Sequence, residues 1–183
     1  MAKIAASLQE SGSSTGRGIS IIETVGLGGV GKTQLAIEFS HRHFDDSSVG
    51  PPVASISQTT QPPGYGLVLW VRADSRDSIA KSFRELAADI GVPGVDTMKN
   101  DQVVQEVKSK LFRTKCRWLL IFDNFEIDVE LSNPADEIKR YLPKGGHGTG
   151  HVLITSRVML PGFDRAHSVR LECFNEVRRF QAL

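Results

Sequence analysis

The chain has 183 residues, of which 40% are hydrophobic and 23% charged, a composition typical of one globular domain with its own core. Its formal net charge of +1 gives no electrostatic reason to expect a nucleic-acid or membrane-surface partner. Cys116 and Cys173 have neither metal-ligand nor disulfide spacing, and no apolar run reaches the length of a membrane span. Because residues 1–18 lack a signal-peptide pattern, we expect a cytoplasmic protein with reduced thiols.

Hydrophobic periodicity predicts alternating strands and helices after a flexible Gly/Ser-rich lead at residues 1–18. The predicted strands span residues 19–25, 67–71, 118–122, 151–155 and 167–171. The predicted helices span residues 33–43, 76–90, 101–112 and 133–141, and residues 173–183 read as the start of a further helix that the chain end cuts off. Residues 45–66 are polar and proline-rich, which indicates a surface loop. The alternation predicts an α/β fold in three layers, with a mainly parallel five-stranded sheet between helices.

Residues 26–33 carry the strongest functional signal. They read Gly-Leu-Gly-Gly-Val-Gly-Lys-Thr, the full phosphate-loop pattern, and they lie between a predicted strand and a predicted helix as that motif requires. Glycines let backbone N–H groups curl toward anionic oxygens, and the helix N-terminus adds partial positive charge. In this pattern Lys32 contacts the β and γ phosphates, and the Thr33 hydroxyl ligates Mg²⁺. The motif therefore predicts a P-loop NTPase site for a nucleoside triphosphate and magnesium.

The same glycines also fit a dinucleotide fingerprint, through Gly26, Gly28 and Gly31. That fingerprint requires an acidic residue about 20 positions further on, at the end of the second strand. Here that region is the proline-rich loop, and the next predicted strand begins only at residue 67. Because a triphosphate site demands Lys32 and Thr33 and a dinucleotide site does not, we favour the triphosphate.

A carboxylate follows the third predicted strand. Asp123 comes directly after the apolar run 118–122, and open α/β sheets bind ligands at the carboxyl ends of their strands. Taken alone, such an aspartate is better read as a helix cap or turn residue. Paired with the upstream loop, Asp123 is expected to hold Mg²⁺ with Thr33, either directly or through water.

Asn124 stands where many triphosphatases of this type carry a second acidic residue. An amide can orient the attacking water but cannot accept its proton at neutral pH. We therefore expect slow hydrolysis or none. Glu126 is the next acidic residue, beyond the end of the predicted strand.

Arg157 follows the fourth predicted strand, at the same edge of the sheet. A guanidinium in that position can bind the γ-phosphate through bidentate hydrogen bonds. The alternative is a surface salt bridge, which is worth little; the position at a strand end favours the phosphate. His151 begins the same strand beside a Gly-rich turn, and we expect its side chain to be solvated.

Four segments in this order resemble the NB-ARC nucleotide-binding domain of STAND-class signalling NTPases, above all that of fungal NLR-like proteins. They are residues 26–36, 69–74, 118–124 and 152–157, and the resemblance covers about residues 19–172. It implies that the phosphates and Mg²⁺ contact Gly26, Gly28, Gly29, Val30, Gly31, Lys32, Thr33 and Gln34. It further implies a metal role for Asp123 and γ-phosphate sensing by Arg157.

The resemblance implies an ATP- and ADP-binding signalling switch that opens on exchange to ATP and assembles with further copies or related NLR-like proteins. The helical and winged-helix subdomains that follow in the family have no counterpart in this sequence. A competing hypothesis is therefore a truncated, non-catalytic interaction module that binds related full-length proteins. A small-molecule P-loop kinase ranks third, because no Arg-rich lid or acceptor pocket is recognisable after Arg157.

Overall fold

A computed structural model describes residues 19–45, 64–126, 134–143, 150–160 and 168–170. The predicted lead at 1–18, most of the loop at 45–66 and the predicted helix start at 173–183 lie outside these residues. Among the helices of the described residues, none is long and apolar enough to cross a membrane.

Strands and helices alternate along the chain. The strands are β1 Ser20–Val25, β2 Leu67–Arg72, β3 Trp118–Phe125, β4 Gly150–Ser156 and β5 Ser168–Arg170. The helices are α1 Lys32–His43, α2 Arg76–Asp89, α3 Asn100–Arg113 and α4 Pro134–Tyr141, with a 3-10 turn at Val95–Thr97 that the sequence analysis missed. The sheet has the order β2-β3-β4-β1-β5, and each of its four pairings is parallel. The predicted α/β fold with a parallel five-stranded sheet is confirmed.

The sheet lies between two apolar clusters, and β3 contributes to both. Leu120 and Phe122 pack with α2 and α3 on one face, whereas Leu119 and Ile121 pack with α1 on the other, as the two-residue period of a strand dictates. The chain moves from β1 to the edge strand β2 and then returns through β3 and β4. Right-handed crossovers therefore place α1 and α2–α3 on opposite faces, and the loop after β1 lies where the strand order reverses.

Helix α2 shows how local sequence sets an element's limits. Ser75 precedes it in extended conformation, and its hydroxyl oxygen accepts a hydrogen bond from the Ser78 N–H at 3.1 Å. Ile79 and Phe83, one turn apart, are buried against the sheet. Gly91, with a φ of +71°, ends the helical path just beyond Ile90. The cap, the apolar spacing and the terminating glycine are local features of the chain, and they agree with the predicted bounds of 76–90.

Strand β3 runs three residues further than predicted, because it contains a β-bulge. Phe122 pairs with Ile154 and Phe125 pairs with Ser156, so β3 has two residues where β4 has one. Asn124 takes a left-handed φ of 57° within this bulge, a conformation that asparagine adopts more readily than most residues. As a result Phe125 packs in the same cluster as Phe122, three positions earlier.

Two side chains expected at the surface are buried instead. Tyr65, from the end of the predicted loop, is 3% exposed, and His151 at the start of β4 is 1% exposed. The Tyr65 hydroxyl lies 2.8 Å from His151 Nδ1. The Arg117 guanidinium lies 5.0 Å from the centre of the Tyr65 ring and 3.3 Å from the same Nδ1. This polar cluster closes the amino end of the sheet, opposite the phosphate loop.

Candidate functional site

The loop between β1 and α1 has the backbone geometry that its glycines predict. Gly29 and Gly31 have φ values of +76° and +95°, and a Cβ there would strain the chain. A Cβ built on Gly28, Gly29 or Gly31 would meet no atom within 4 Å. The loop therefore stays open to a ligand, while Gly31 caps α1 and leaves the first N–H groups of that helix at the loop.

Lys32 is folded back across this loop. Its Nζ donates hydrogen bonds to the backbone oxygens of Gly26 at 2.7 Å and Leu27 at 2.9 Å. The residue is only 8% exposed. Burial and the nearby charge of Arg157 lower the pKa of Lys32, while the carboxylates of Asp123 and Glu126 oppose that shift. The ammonium group is thus held at the base of an open anion-binding loop.

Asp123 connects the loop to the centre of the sheet. Its Oδ1 accepts a hydrogen bond from the Thr33 hydroxyl at 2.9 Å and another from the Thr155 hydroxyl at 2.7 Å. The Thr155 oxygen in turn accepts from the Asn124 N–H at 2.9 Å, which fixes the bulge. Residues 90 positions apart in the chain therefore meet through one carboxylate oxygen.

Thr155 ends the predicted strand 151–155, and its position in the sequence predicts no role for it. The strand order gives it one, because β4 lies between β1 and β3. Thr155 follows the apolar residues of β4, and its Cα pairs with Thr24 of β1. The Thr24 hydroxyl is buried and has no hydrogen-bond partner among the described residues. No local signal in the sequence identifies this role, because it depends on β4 lying next to β3 in the sheet.

The oxygens of Thr33 and Asp123 suit Mg²⁺, which prefers hard oxygen ligands and retains several waters. Among the described residues, no group of three or more His, Cys, Asp or Glu side chains could hold a metal by itself. A magnesium ion here would complete its shell with water and phosphate oxygens, the arrangement usual at nucleotide sites. The donor set therefore fits a magnesium–phosphate ligand and does not fit a metal held by protein groups alone.

Arg157 lies at the same edge and contacts an acidic partner. Its Nε is 2.7 Å from Glu126 Oε1, and the two side chains are 60% and 38% exposed. The two expectations for an arginine at this strand end are a surface salt bridge and a phosphate contact. The geometry contains the salt bridge, and it also brings Arg157 close enough to influence the pKa of Lys32.

The turn that carries Arg157 is fixed by a buried acid, Glu23 of β1. Glu23 is 1% exposed, and its Oε1 accepts hydrogen bonds from the Ser156 hydroxyl at 3.0 Å and the Leu160 N–H at 2.8 Å. The Ser156 hydroxyl also contacts the Val158 carbonyl oxygen. Glu23 therefore holds both ends of the turn, a role that its place in an apolar run did not reveal.

The remaining predicted contacts lie along the loop and the first turn of α1. The Gly26 N–H donates to the backbone carbonyl oxygen of Ser156 at 3.3 Å, which connects the loop to β4. The Val30 N–H donates to the backbone carbonyl oxygen of Leu27 at 3.4 Å. Gln34 is exposed on the first turn of α1. The fold thus gathers Lys32, Thr33 and Asp123, while the assignment of a function to each of these residues stays a prediction.

Comparison with known proteins gives two curated relatives. A probable disease resistance protein of Arabidopsis thaliana is 28% identical over 125 residues, which is 66% of this chain and 12% of that protein. A nucleotide-binding leucine-rich repeat (NLR)-like protein of Hyaloscypha variabilis is 29% identical over 147 residues, or 74% of this chain and 13% of that protein. The resemblance to the NB-ARC family is confirmed. No protein-family model matches the chain, which spans about an eighth of each relative's length.

Among solved structures, the chain matches the Aeropyrum pernix ORC1 protein in complex with DNA, with a TM-score of 0.54 and 16% identity. The match covers 95% of this chain and 45% of that one. At this identity the likeness shows the fold alone, a parallel α/β sheet with its helices. The expectation that this chain has no nucleic-acid partner gains no support from a neighbour solved with DNA and stays a prediction.

Proposed function

We propose that this chain is the nucleotide-binding core of a signalling switch, which binds ATP and ADP with Mg²⁺ and hydrolyses ATP slowly or not at all. One observation carries the proposal: the Thr33 hydroxyl and the Asp123 carboxylate meet at 2.9 Å beside an open phosphate loop. A loop alone would suit many anions. A loop joined to a strand-end carboxylate suits an anion that arrives with a divalent cation.

Each of these residues has a distinct task in the proposal. The backbone N–H groups from Gly28 to Thr33 surround the β-phosphate, and Lys32 exchanges its two backbone acceptors for phosphate oxygens. Thr33 and Asp123 hold Mg²⁺, which neutralises charge on the phosphate oxygens when bound. Arg157 turns toward the γ-phosphate, which only the triphosphate offers.

Slow chemistry follows from the residue after Asp123. Asn124 cannot take a proton from the attacking water, so turnover falls well below the roughly 10 per second of a typical enzyme. Adenine as the base, and the switch between a closed ADP state and an open ATP state, are carried over from the resemblance alone, while the name of one relative supports nucleotide binding in general. Slow hydrolysis of this kind serves to shift a conformational equilibrium and is too slow to supply a metabolic product.

Calorimetric titration of the purified chain with Mg-ATP and with Mg-ADP tests this function. We expect submillimolar binding of both nucleotides, and a loss of about 10- to 100-fold in Lys32→Ala, because a charge-assisted hydrogen-bond donor is removed. Lys81→Ala is the matched control, since Lys81 is 79% exposed and pairs only at 3.9 Å with Glu85 on α2. Absence of heat from both nucleotides would instead favour the interaction module.

A further inference from the structure

Arg157 and Glu126 form a pair that the proposed function does not use. Glu126 follows the end of β3 and Arg157 follows the end of β4, and these two strands are neighbours in the sheet. Their side chains meet at 2.7 Å, and both are partly open to solvent. Such an exposed pair is weak and can exchange partners at little cost.

The bulge in β3 determines which face Glu126 occupies. In a regular strand Phe122 and Glu126 would share a face, because four positions separate them. The extra residue changes that parity, so Phe125 joins Phe122 in the cluster under α2 and α3. Glu126 then falls on the face of Asp123, the face that carries the phosphate loop and α1. The backbone N–H of Glu126 donates to the Ala73 oxygen at 3.1 Å, and its carboxylate reaches the Arg157 guanidinium that follows β4.

Glu126 therefore lies on the side of the sheet where the nucleotide is expected. Its carboxylate contacts the guanidinium of Arg157, which is the group expected to bind the γ-phosphate. A carboxylate and a terminal phosphate can each accept two hydrogen bonds from the planar fork of an arginine, so they compete for the same N–H groups. The charge of Glu126 also acts on Lys32, which places the carboxylate within electrostatic reach of the loop.

We propose that Glu126 is a specificity-determining latch: it holds Arg157 away from the γ-phosphate and so lowers the affinity for ATP relative to ADP. This inference rests on the proposed function. When ATP binds, Arg157 must leave Glu126 to reach the γ-phosphate. When ADP binds, no γ-phosphate competes and the pair stays closed. The latch therefore favours the ADP-bound state over the ATP-bound state.

A different effect could imitate the latch, because Glu126 also repels any polyanion that enters the site. Removing its charge would then strengthen the binding of ATP with or without Arg157. The two explanations separate in a double-mutant cycle, in which the effect of one substitution is measured in the presence and absence of the other partner.

The experiment is a calorimetric titration of Mg-ATP and Mg-ADP into the wild type, Glu126→Gln, Arg157→Gln and the double variant. We expect Glu126→Gln to tighten Mg-ATP by about two- to fivefold, the range that an exposed ion pair supplies, with Mg-ADP unchanged. Arg157→Gln should weaken Mg-ATP alone. In the Arg157→Gln background, Glu126→Gln should change neither affinity.

Glu85→Gln is the matched control, because it also removes an exposed carboxylate from an ion pair, with Lys81 at 3.9 Å on α2. It should leave both affinities at the wild-type value. Retained Mg-ADP binding shows that each variant is folded. Tightening of Mg-ATP that persists without Arg157, equal tightening of Mg-ADP, or no tightening at all would overturn the latch and leave the nucleotide site standing. A wild type that binds neither nucleotide would overturn the proposed function and the latch with it.

Discussion

At the scale of single residues, the site depends on one bulged asparagine as much as on its charged groups. Asn124 has a φ of 57°, and its N–H donates to Thr155, whose hydroxyl donates to Asp123. Asparagine is among the few residues that enter this left-handed region at low cost. The residue therefore maintains the bulge that brings Glu126 to the side of the sheet where Asp123 and the loop lie.

Asn124→Ala should lower the free energy of unfolding by about 1 kcal/mol, because a Cβ without a compensating polar group is disfavoured at positive φ. Asn124→Gly, which removes that conflict, should be less destabilising than the alanine variant. Urea unfolding monitored by circular dichroism measures both. If Asn124→Ala and the wild type unfold with the same free energy, the left-handed conformation does not constrain the bulge.

At the scale of elements, the titratable residues Tyr65, Arg117 and His151 form a cluster at the amino-terminal ends of the strands. Burial raises the pKa of Tyr65 to about 12, so its hydroxyl remains a donor, and it lies 2.8 Å from His151 Nδ1. Arg117 can only donate, and it approaches the same nitrogen. Two donors at Nδ1 favour the neutral tautomer with its proton on Nε2, an atom that is buried and has no hydrogen-bond partner among the described residues. Burial, reinforced by the charge of Arg117, lowers the pKa of His151 to about 4.

This cluster predicts a loss of stability in mild acid. The folded-state pKa of His151 lies below its unfolded value of about 6.5, so the unfolded chain binds the extra proton as the pH falls. Stability should be full above pH ~6.5 and decline toward pH ~4, by on the order of 3 kcal/mol. His151→Gln keeps an acceptor for Tyr65 and should flatten this slope. The lowered pKa of His43 acts in both proteins and cancels in the comparison.

Unfolding free energies of wild type and His151→Gln, measured by urea at several pH values, provide the test. Parallel pH profiles in the two proteins would show that His151 titrates normally and that the buried cluster is absent in solution.

The sequence predicted those elements whose signals are local. The bounds of α2, the glycines of the loop and the apolar run of β3 depend on neighbours within one turn or strand. The observed helix and strand begin and end within a few residues of the predicted ranges. The bulge was not predictable, because it depends on how β3 pairs with β4. The burial of His151 depends on Tyr65 and Arg117, which lie far away in sequence.

At the scale of the whole molecule, the strand order joins the two halves of the site. The phosphate loop follows β1 and Asp123 lies in β3, and β4 separates them with Thr155 as the link. Motif reasoning named the loop and Asp123 because each follows a strand. It could not name Thr155, Glu23 or the Arg157–Glu126 pair, because those contacts exist only once the strands are ordered.

The central claim is that the loop and Asp123 act as one magnesium–nucleotide site. Its most direct test is the dissociation constant of ADP, measured by calorimetry with Mg²⁺ and with EDTA, for the wild type and for Asp123→Asn. The asparagine retains an oxygen for the Thr33 and Thr155 hydroxyls and removes the charge that serves the metal. We predict that Mg²⁺ tightens ADP binding to the wild type by at least about tenfold and that Asp123→Asn abolishes most of this gain. Equal affinities with Mg²⁺ and EDTA in the wild type, or an unchanged magnesium effect in Asp123→Asn, would contradict the claim.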